Sequence, residues 1–378
     1  MSDVYQESVN LHRKYQGKLA IISKVSVKTK EDLSLAYTPG VAEVCRVIAK
    51  DKTQTSSLTL RGNTVAVISD GSAILGLGNL GAAAAIPVME GKCILFKEFA
   101  GVDAFPICLE TQDVEEIIKT VKNIAPVFGG INLEDISAPR CFEIEERLKA
   151  ELDIPVMHDD QHGTATVVLA GLINALKVRG SLKEEVKIVV NGSGAAGVAI
   201  IKLLFVYGFK NIIVSDSQGI IYAGRDNLNP VKQELASLTN LQKITGTLSE
   251  AVKGADIFIG VSVPGILSSE MISSMNARPI IFALANPIPE IMPDLAHEAG
   301  AFIVATGRSD YPNQLNNVLA FPGIFRGALD NKVKQITDSM LIKAAENLAA
   351  LVLEPNQEII LPNPFDKNVV LAVARAII

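Results

Sequence analysis

The 378-residue sequence predicts an α/β protein in two units, residues 1–155 and 156–378. Three observations carry that expectation. Short β-branched runs alternate with longer stretches of helical period, a strand near 186–190 runs straight into a glycine-rich loop that opens a helix, and strand-helix-strand spacings of about 30 residues fit right-handed βαβ units.

In the first unit the opening 60 residues read as helical, broken at Tyr37-Thr38-Pro39-Gly40, where Pro and Gly force a turn and a new helix start. Residues 64–69 (TVAVIS) form a strand. That strand ends in Asp70-Gly71 and the glycine-rich 76–81, after which the small residues 82–86 begin a helix. The succession expected next is a strand at 93–96, a helix at 114–124 capped by Asp113, a strand at 127–133 and a helix at 138–151. The second series starts near Pro155. An apolar helix at 163–178 leads to strand 186–191, helix 195–207 and strand 211–216, and the runs at 257–261, 280–283 and 302–305 extend one parallel sheet. Residues 338–353 and 367–378 return to helical patterning.

Composition narrows the function classes. With 48% apolar and 20% charged residues, 28 Gly and 17 Pro, the chain buries a sizeable core and is neither disordered, collagenous nor a disulfide scaffold. Against 41 Asp+Glu stand 35 scattered Lys+Arg, a net charge of −6, which argues against nucleic acid as a partner. Apolar runs such as 166–177 and 367–378 fall short of the roughly 20 residues that span a bilayer, so no membrane span is expected. Residues 1–18 mix charges and lack a signal-peptide apolar core, which makes the cytoplasm the expected compartment. Cys45, Cys93, Cys108 and Cys141 lie far apart and read as reduced, mostly core thiols.

The loop after the 186–190 strand is Asn191-Gly192-Ser193-Gly194-Ala195-Ala196-Gly197, a G-x-G-x-x-G between strand and helix, and Asp216 closes the next strand 24 residues after Gly192. This is a Rossmann-like dinucleotide site. Gly192 permits the tight turn, Gly194 lets pyrophosphate approach the backbone, Gly197 allows close helix packing, and the helix start offers unpaired N–H groups. A carboxylate at 216 accepts from adenine-ribose hydroxyls and repels a 2′-phosphate. Ser217, Gln218 and Gly219 follow it and Arg225 lies nine residues on, so NAD is favoured, with NADP the alternative.

Two acidic pairs, Glu134-Asp135 and Asp159-Asp160, end short apolar stretches. Their oxygens converging from two loops would suit Mg²⁺ or Mn²⁺, although such pairs also serve as solvated surface or helix caps. Taken alone, Tyr37 reads as a turn tyrosine packing near Pro39 and Lys92 as a solvated strand-end charge.

Read together, Tyr37-Thr38-Pro39-Gly40-Val41-Ala42, Ser69-Asp70-Gly71, residues 74–81 (ILGLGNLG), Glu90-Gly91-Lys92, Asn132-Leu133-Glu134-Asp135 and residues 158–165 (HDDQHGTA) resemble the malic enzymes, in their short bacterial and archaeal form. The resemblance continues through Ala285-Asn286-Pro287 and Asn316-Asn317 to Phe321-Pro322-Gly323, nearly the whole chain. It implies an N-terminal malic-type catalytic domain over 1–155 and an NAD(P)-binding Rossmann-like domain over 156–378. It also implies Tyr37 as general acid, Lys92 as general base, Glu134, Asp135 and Asp160 as metal ligands with Asp159 in support, and Asn286 and Asn317 as substrate contacts.

The activity implied is oxidative decarboxylation of (S)-malate to pyruvate and CO₂ with reduction of NAD, dependent on Mg²⁺ or Mn²⁺. An NADP-dependent or malolactic-type variant, and a non-catalytic cofactor-binding protein, are the alternatives. For Lys92 to act as base at neutral pH, burial or a nearby cation must lower its pKa. Two positions depart from the family: Ser72-Ala73 stand where the larger enzymes carry an arginine for the substrate carboxylate, and Asn79 stands where aspartate is common. A homodimer or higher homo-oligomer is expected, because Val4, Tyr5, Val9 and Leu11 lie on an N-terminal helix with no evident partner in the chain and the short malic enzymes associate through such helices.

Overall fold

Apolar and β-branched runs build two separate sheets in this computed structural model, which describes residues 4–74 and 76–378; Met1, Ser2 and Asp3 of the N-terminal segment and Leu75 of the glycine-rich loop lie outside the described residues. The first sheet contains β1 (Thr64–Ser69), β2 (Asp103–Cys108), β3 (Gly130–Leu133) and β4 (Val156–His158) in the order β2-β1-β3-β4, all parallel. β1 is buried along its whole length. Parallel strands buried on both faces need no polar alternation, which is why TVAVIS is continuous and not alternating.

The second sheet holds β5 (Lys187–Asn191), β6 (Asn211–Asp216), β7 (Gly219–Ile220), β8 (Ile257–Gly260), β9 (Ile280–Ala283) and β10 (Ile303–Thr306), in the order β10-β9-β8-β5-β6-β7. Only β7 is antiparallel, through a tight return from β6. From β5 the chain moves to β6 on one side and later to β8 on the other, so the carboxyl end of β5 is a topological switch point, where open α/β sheets bind ligands. The glycine loop starts there.

The helix Asp159–Arg179 packs on the helices Ala195–Tyr207 and Asp338–Ala350 and is buried nearly all round. Its length matters to the site. The sequence reading started this helix at 163, but it begins directly after β4, so Asp159 and Asp160 form its first turn.

Three other elements differ from expectation. Residues 93–96 are not a strand: they continue the helix Ala82–Ala100, where Met89, Cys93 and Phe96 are buried at helical spacing. A four-residue apolar run suits either structure, and only the flanking pattern distinguishes them. The strand β2 is not among the expected elements; it contains Pro106 and lies at the sheet edge, where a missing N–H is tolerated. The strand expected over 127–133 shortens to β3 after a 3₁₀ turn at Ala125–Val127. All four cysteines are free; Cys93 and Cys141 are buried as expected, whereas Cys45 is exposed.

At the N-terminus the helices Val4–Tyr15, Lys30–Ala36 and Val41–Lys50 contain no buried residue. Val41, Val44 and Val47 recur every three positions along the third helix and remain exposed. No described residue of the chain covers that face.

Elsewhere aromatic and polar contacts join the two units. Phe96 meets Phe321 and Phe325 edge to face, with centroids 4.8 and 5.4 Å away, and Asn63 Oδ1 accepts from Arg326 Nη1 at 2.6 Å. Within the second unit, buried Asn174 donates through Nδ2 to Ala349 O at 2.9 Å and Ile360 O at 3.0 Å. Asn174→Ala removes both buried bonds and should cost about 2 kcal/mol, read as a lower urea midpoint at unchanged slope; an unchanged midpoint would show that these bonds do not anchor the C-terminal segment.

Candidate active site

The acidic pairs belong to adjacent strand ends of the first sheet. β3 delivers Glu134 and Asp135, β4 delivers Asp159 and Asp160, and β3 and β4 are hydrogen-bonded neighbours. Ligand oxygens of Glu134, Asp135 and Asp160 lie within 4.8 Å of one another. Asp135 has φ of +53°, a left-handed conformation uncommon outside glycine, and its N–H donates to Asp160 Oδ2 at 2.9 Å, so its backbone ties the two loops together. Glu134 Oε2 accepts from Asn132 Nδ2 at 2.8 Å.

Lys92 reaches this cluster from the helix Ala82–Ala100. Its buried Nζ is 2.8 Å from Glu134 Oε1 and 2.6 Å from Asp159 Oδ2, and it lies 4.2 Å from the centroid of the Phe321 ring. Phe321 comes from the second unit, so both units enclose the lysine. The solvated strand-end reading of Lys92 is therefore wrong on both counts: the residue is helical and buried.

Burial sets the electrostatics. It pushes Glu134 and Asp159 each up to about 7, with Lys92 opposing, and raises Asp160 for the same reason. For Lys92 burial favours the neutral form, but Asp159, Glu134 and Asp160 outweigh it and hold the ammonium above its ordinary range. The lysine's pKa is thus shifted opposite to the direction expected for a base.

One lysine faces four acids, and Asp159 Oδ1 is buried without a hydrogen-bond donor. An excess of hard oxygen donors around a shared centre is the chemistry of a Mg²⁺ or Mn²⁺ site, and Glu134, Asp135 and Asp160 fit such an ion.

Several residues that the sequence reading did not single out shape this cluster. A Cβ on Gly163 would sit 1.8 Å from Asp159 Oδ1 and 3.4 Å from Asn317 Cβ, so the missing side chain makes room for Asp159 and places Asn317 beside it. Buried Glu145 accepts from His158 N at 2.9 Å and Gln161 Nε2 at 3.2 Å and pairs with Lys149 at 2.8 Å, which locks the start of the helix. Asp70, at the end of β1, pairs with Arg140 at 3.0 Å. Glu145 and Lys149, like Asp159 and Gly163, stand one helical turn apart, whereas Glu145 meets His158 and Gln161, and Asp70 meets Arg140, only through the fold.

The predicted substrate contacts occupy two places. Asn317 is beside Gly163, as described. Asn286 is exposed, but its carbonyl lies 2.3 Å from where a Cβ on Gly76 would stand and its side chain packs on Gly307, so it bridges the second unit to the glycine-rich loop of the first.

The dinucleotide loop has the geometry its glycines require. Gly192 has φ of +118°, and a Cβ there would meet Val261 O at 2.5 Å; one on Gly197 would meet Gly192 O at 1.9 Å; one on Gly194 would meet nothing within 4 Å. Gly194 thus faces open space. Ser193 lines the same cleft, while Ala195 and Ala196 begin the helix Ala195–Tyr207. The cleft, of about 930 Å³, also takes in Asn191, Asp216, Ser217, Gln218 and Lys232 from the second unit and Ala138, Pro139 and Phe142 from the first.

Asp216 is not without cations. Arg225 Nη2 and Lys232 Nζ lie 2.6 and 2.7 Å from its Oδ2, although no cation adjoins it in sequence. Nine and sixteen residues away in sequence, both return through β7 and the helix Pro230–Leu238. Tyr37 lies on the N-terminal arm, where 67% of its surface is exposed.

Comparison with known proteins agrees with this arrangement. The profile for "Malic enzyme, N-terminal domain" matches residues 16–149, and that for "Malic enzyme, NAD binding domain" matches 161–378. A bifunctional malic/malolactic enzyme of Bacillus subtilis is 58% identical over 98% of this chain and 92% of its own length, and an NAD-dependent malic enzyme of Geobacillus stearothermophilus is 58% identical over 96% and 76%. The crystal structure of an NAD-dependent malic enzyme from Thermotoga maritima superposes with a TM-score of 0.94 at 53% identity, covering 98% of both chains. With a strand-end carboxylate cluster, an enclosed lysine and a dinucleotide loop in one chain, and with both family profiles matched along it, this protein belongs to the malic enzyme family.

Proposed function

We propose that the chain converts (S)-malate and NAD to pyruvate, CO₂ and NADH, with the cluster around Lys92 as the reaction centre. One observation carries the reading: a buried lysine lies within hydrogen-bond reach of a hard-cation carboxylate set, whose Asp135 stands three residues in sequence from Ala138, which lines the dinucleotide cleft together with Gly192 and Gly194. The division of labour proposed is a catalytic unit over 1–155 and a cofactor-binding unit over 156–378, with β4, Asp159 and Asp160 at the start of the second stretch completing the first sheet and its cluster.

The chemistry assigns a task to each residue. Lys92 removes the proton of the substrate hydroxyl, and the buried carboxylate of Asp159 remains beside the ammonium so formed. Glu134, Asp135 and Asp160 hold the divalent cation, which supplies a Lewis acid for negative charge on the substrate oxygens. Sharing Glu134 with a cation also reduces the pull on Lys92 and returns its pKa towards the range a base needs. Asn286 and Asn317 orient the substrate through their amides. After CO₂ is lost, Tyr37 protonates the carbon of the enolate to give pyruvate. Gly192, Ser193, Gly194 and the helix start at Ala195 receive the pyrophosphate of the cofactor.

An exposed acid cannot select one carbon for protonation, so Tyr37 must be covered in the working enzyme. The surface that accompanies it is the set of N-terminal helices with no buried residue, and we assign this face to a second copy of the chain, giving a homodimer. The B. subtilis relative, named for both malic and malolactic activity, makes lactate a second product to examine.

With malate, Mn²⁺ and NAD, NADH and pyruvate should appear in equal amounts; lactate without free NADH would replace this reading by the malolactic one. Lys92→Ala should lower kcat about 100-fold or more while NAD affinity stays within about threefold, and near-wild-type turnover would remove Lys92 as the base. Light scattering at micromolar concentration should give at least twice the 40.3 kDa chain mass; the mass of a single chain would contradict the assigned interface.

A further inference from the structure

Glu290 is a buried acid that the proposed reaction does not use. It lies between β9 and the helix Pro293–Glu298 and is 0% exposed. A carboxyl group taken out of water is costly unless hydrogen bonds replace the lost solvent. Here two loops supply them. Oε1 accepts from Ser262 N at 2.8 Å and from Ser262 Oγ at 3.4 Å, and Oε2 accepts from Ala285 N at 3.0 Å. These donors are neutral, so the carboxyl group serves to join the loops and not to balance a charge.

The two loops face different ligands. Ser262 follows β8 and lines the dinucleotide cleft, and its Oγ accepts from Asn191 Nδ2 at 2.7 Å, while Asn191 Oδ1 accepts from Ser215 Oγ at 2.8 Å. Ala285 follows β9 and directly precedes Asn286. A polar chain from Ser215 through Asn191, Ser262 and Glu290 to Ala285 therefore crosses the carboxyl ends of β6, β5, β8 and β9, which are successive neighbours in the sheet. Gly260 leaves the room it needs, since a Cβ there would lie 2.4 Å from Glu290 Cδ. The Glu290 carbonyl adds a further tie by accepting from Leu267 N at 3.1 Å.

We propose that Glu290 is a positioning residue for the substrate: it fixes the loop after β9, and Asn286 with it, against the cofactor wall after β8. This role rests on the malic-enzyme reading, with Asn286 as a substrate contact. An amide in place of the carboxyl group keeps one acceptor oxygen and turns the other into an NH₂ donor. With the oxygen kept at Ser262, two donors stay satisfied. The NH₂ then faces Ala285 N–H, which loses its partner. Glu290→Gln thus releases the substrate loop and spares the cofactor wall, whereas Glu290→Ala releases both.

Calorimetric titration of the full chain with NADH, and of malate into the chain loaded with Mn²⁺ and NADH, reads both sides without turnover because the cofactor is already reduced. Glu290→Gln should weaken malate about tenfold and leave NADH within about twofold, and Glu290→Ala should weaken both about tenfold. In an Asn286→Ala background the Glu290→Gln change should add less than about twofold to the loss of malate affinity. Asn174→Ala, which removes buried bonds in the same unit, should lower the urea midpoint and leave both affinities unchanged. Wild-type malate affinity in Glu290→Gln, equal losses of malate and NADH, failure of that variant to fold, or the same malate loss in Asn174→Ala would overturn the positioning role. A wild type that shows these shifts but releases no CO₂ from malate and NAD would instead overturn the reaction and leave the role standing; a wild type that binds no malate would overturn both.

Discussion

The buried ammonium of Lys92, shared between Glu134 and Asp159, is the contact on which the rest of the site depends. A charge taken out of water is tolerated only when its partners are close and well aligned, and removing one partner leaves the other costly. Three chain segments must therefore arrive together: the helix Ala82–Ala100, the end of β3 and the start of Asp159–Arg179. Phe321 closes the remaining side of the ammonium from the second unit. Charge and packing thus couple the two units at the point where substrate and cofactor would have to meet.

The same arrangement leaves the carboxylates undercompensated. One lysine cannot neutralise Glu134, Asp135, Asp159 and Asp160, and burial raises three of the four above the usual carboxylate range. A divalent cation would relieve that imbalance and at the same time loosen the hold on Lys92. The proposed base and the proposed cation site are thereby two aspects of one charge balance, and neither function follows from its residues taken singly.

Legibility in the sequence tracked the range of the interactions. The glycine loop was readable because its requirements are local: a tight turn at Gly192, close packing at Gly197 and open space at Gly194 all act within a few residues. The acidic pairs were readable as strand-end groups, although Asp159 and Asp160 turned out to begin a helix. Lys92 was identified by family motif while its setting was misread, because the four apolar residues after it suit a strand as well as a buried helix. Arg225 and Lys232 could not be tied to Asp216 from spacing, since the turn into β7 and the helix Pro230–Leu238 decide where they return. The N-terminal helices were legible as helices, but no described residue of the chain buries their apolar face.

The most direct test separates Lys92 as a chemical group from Lys92 as a counter-ion that merely holds the acids together. Calorimetric titration of Mn²⁺ into the wild type and into Lys92→Met, alongside turnover of malate, makes that separation. The account predicts that the folded variant binds Mn²⁺ as tightly as the wild type or more tightly, because the ion no longer competes with an ammonium for Glu134, while turnover is lost. A variant that loses Mn²⁺ affinity together with turnover would contradict it and reduce Lys92 to a structural support of the carboxylates.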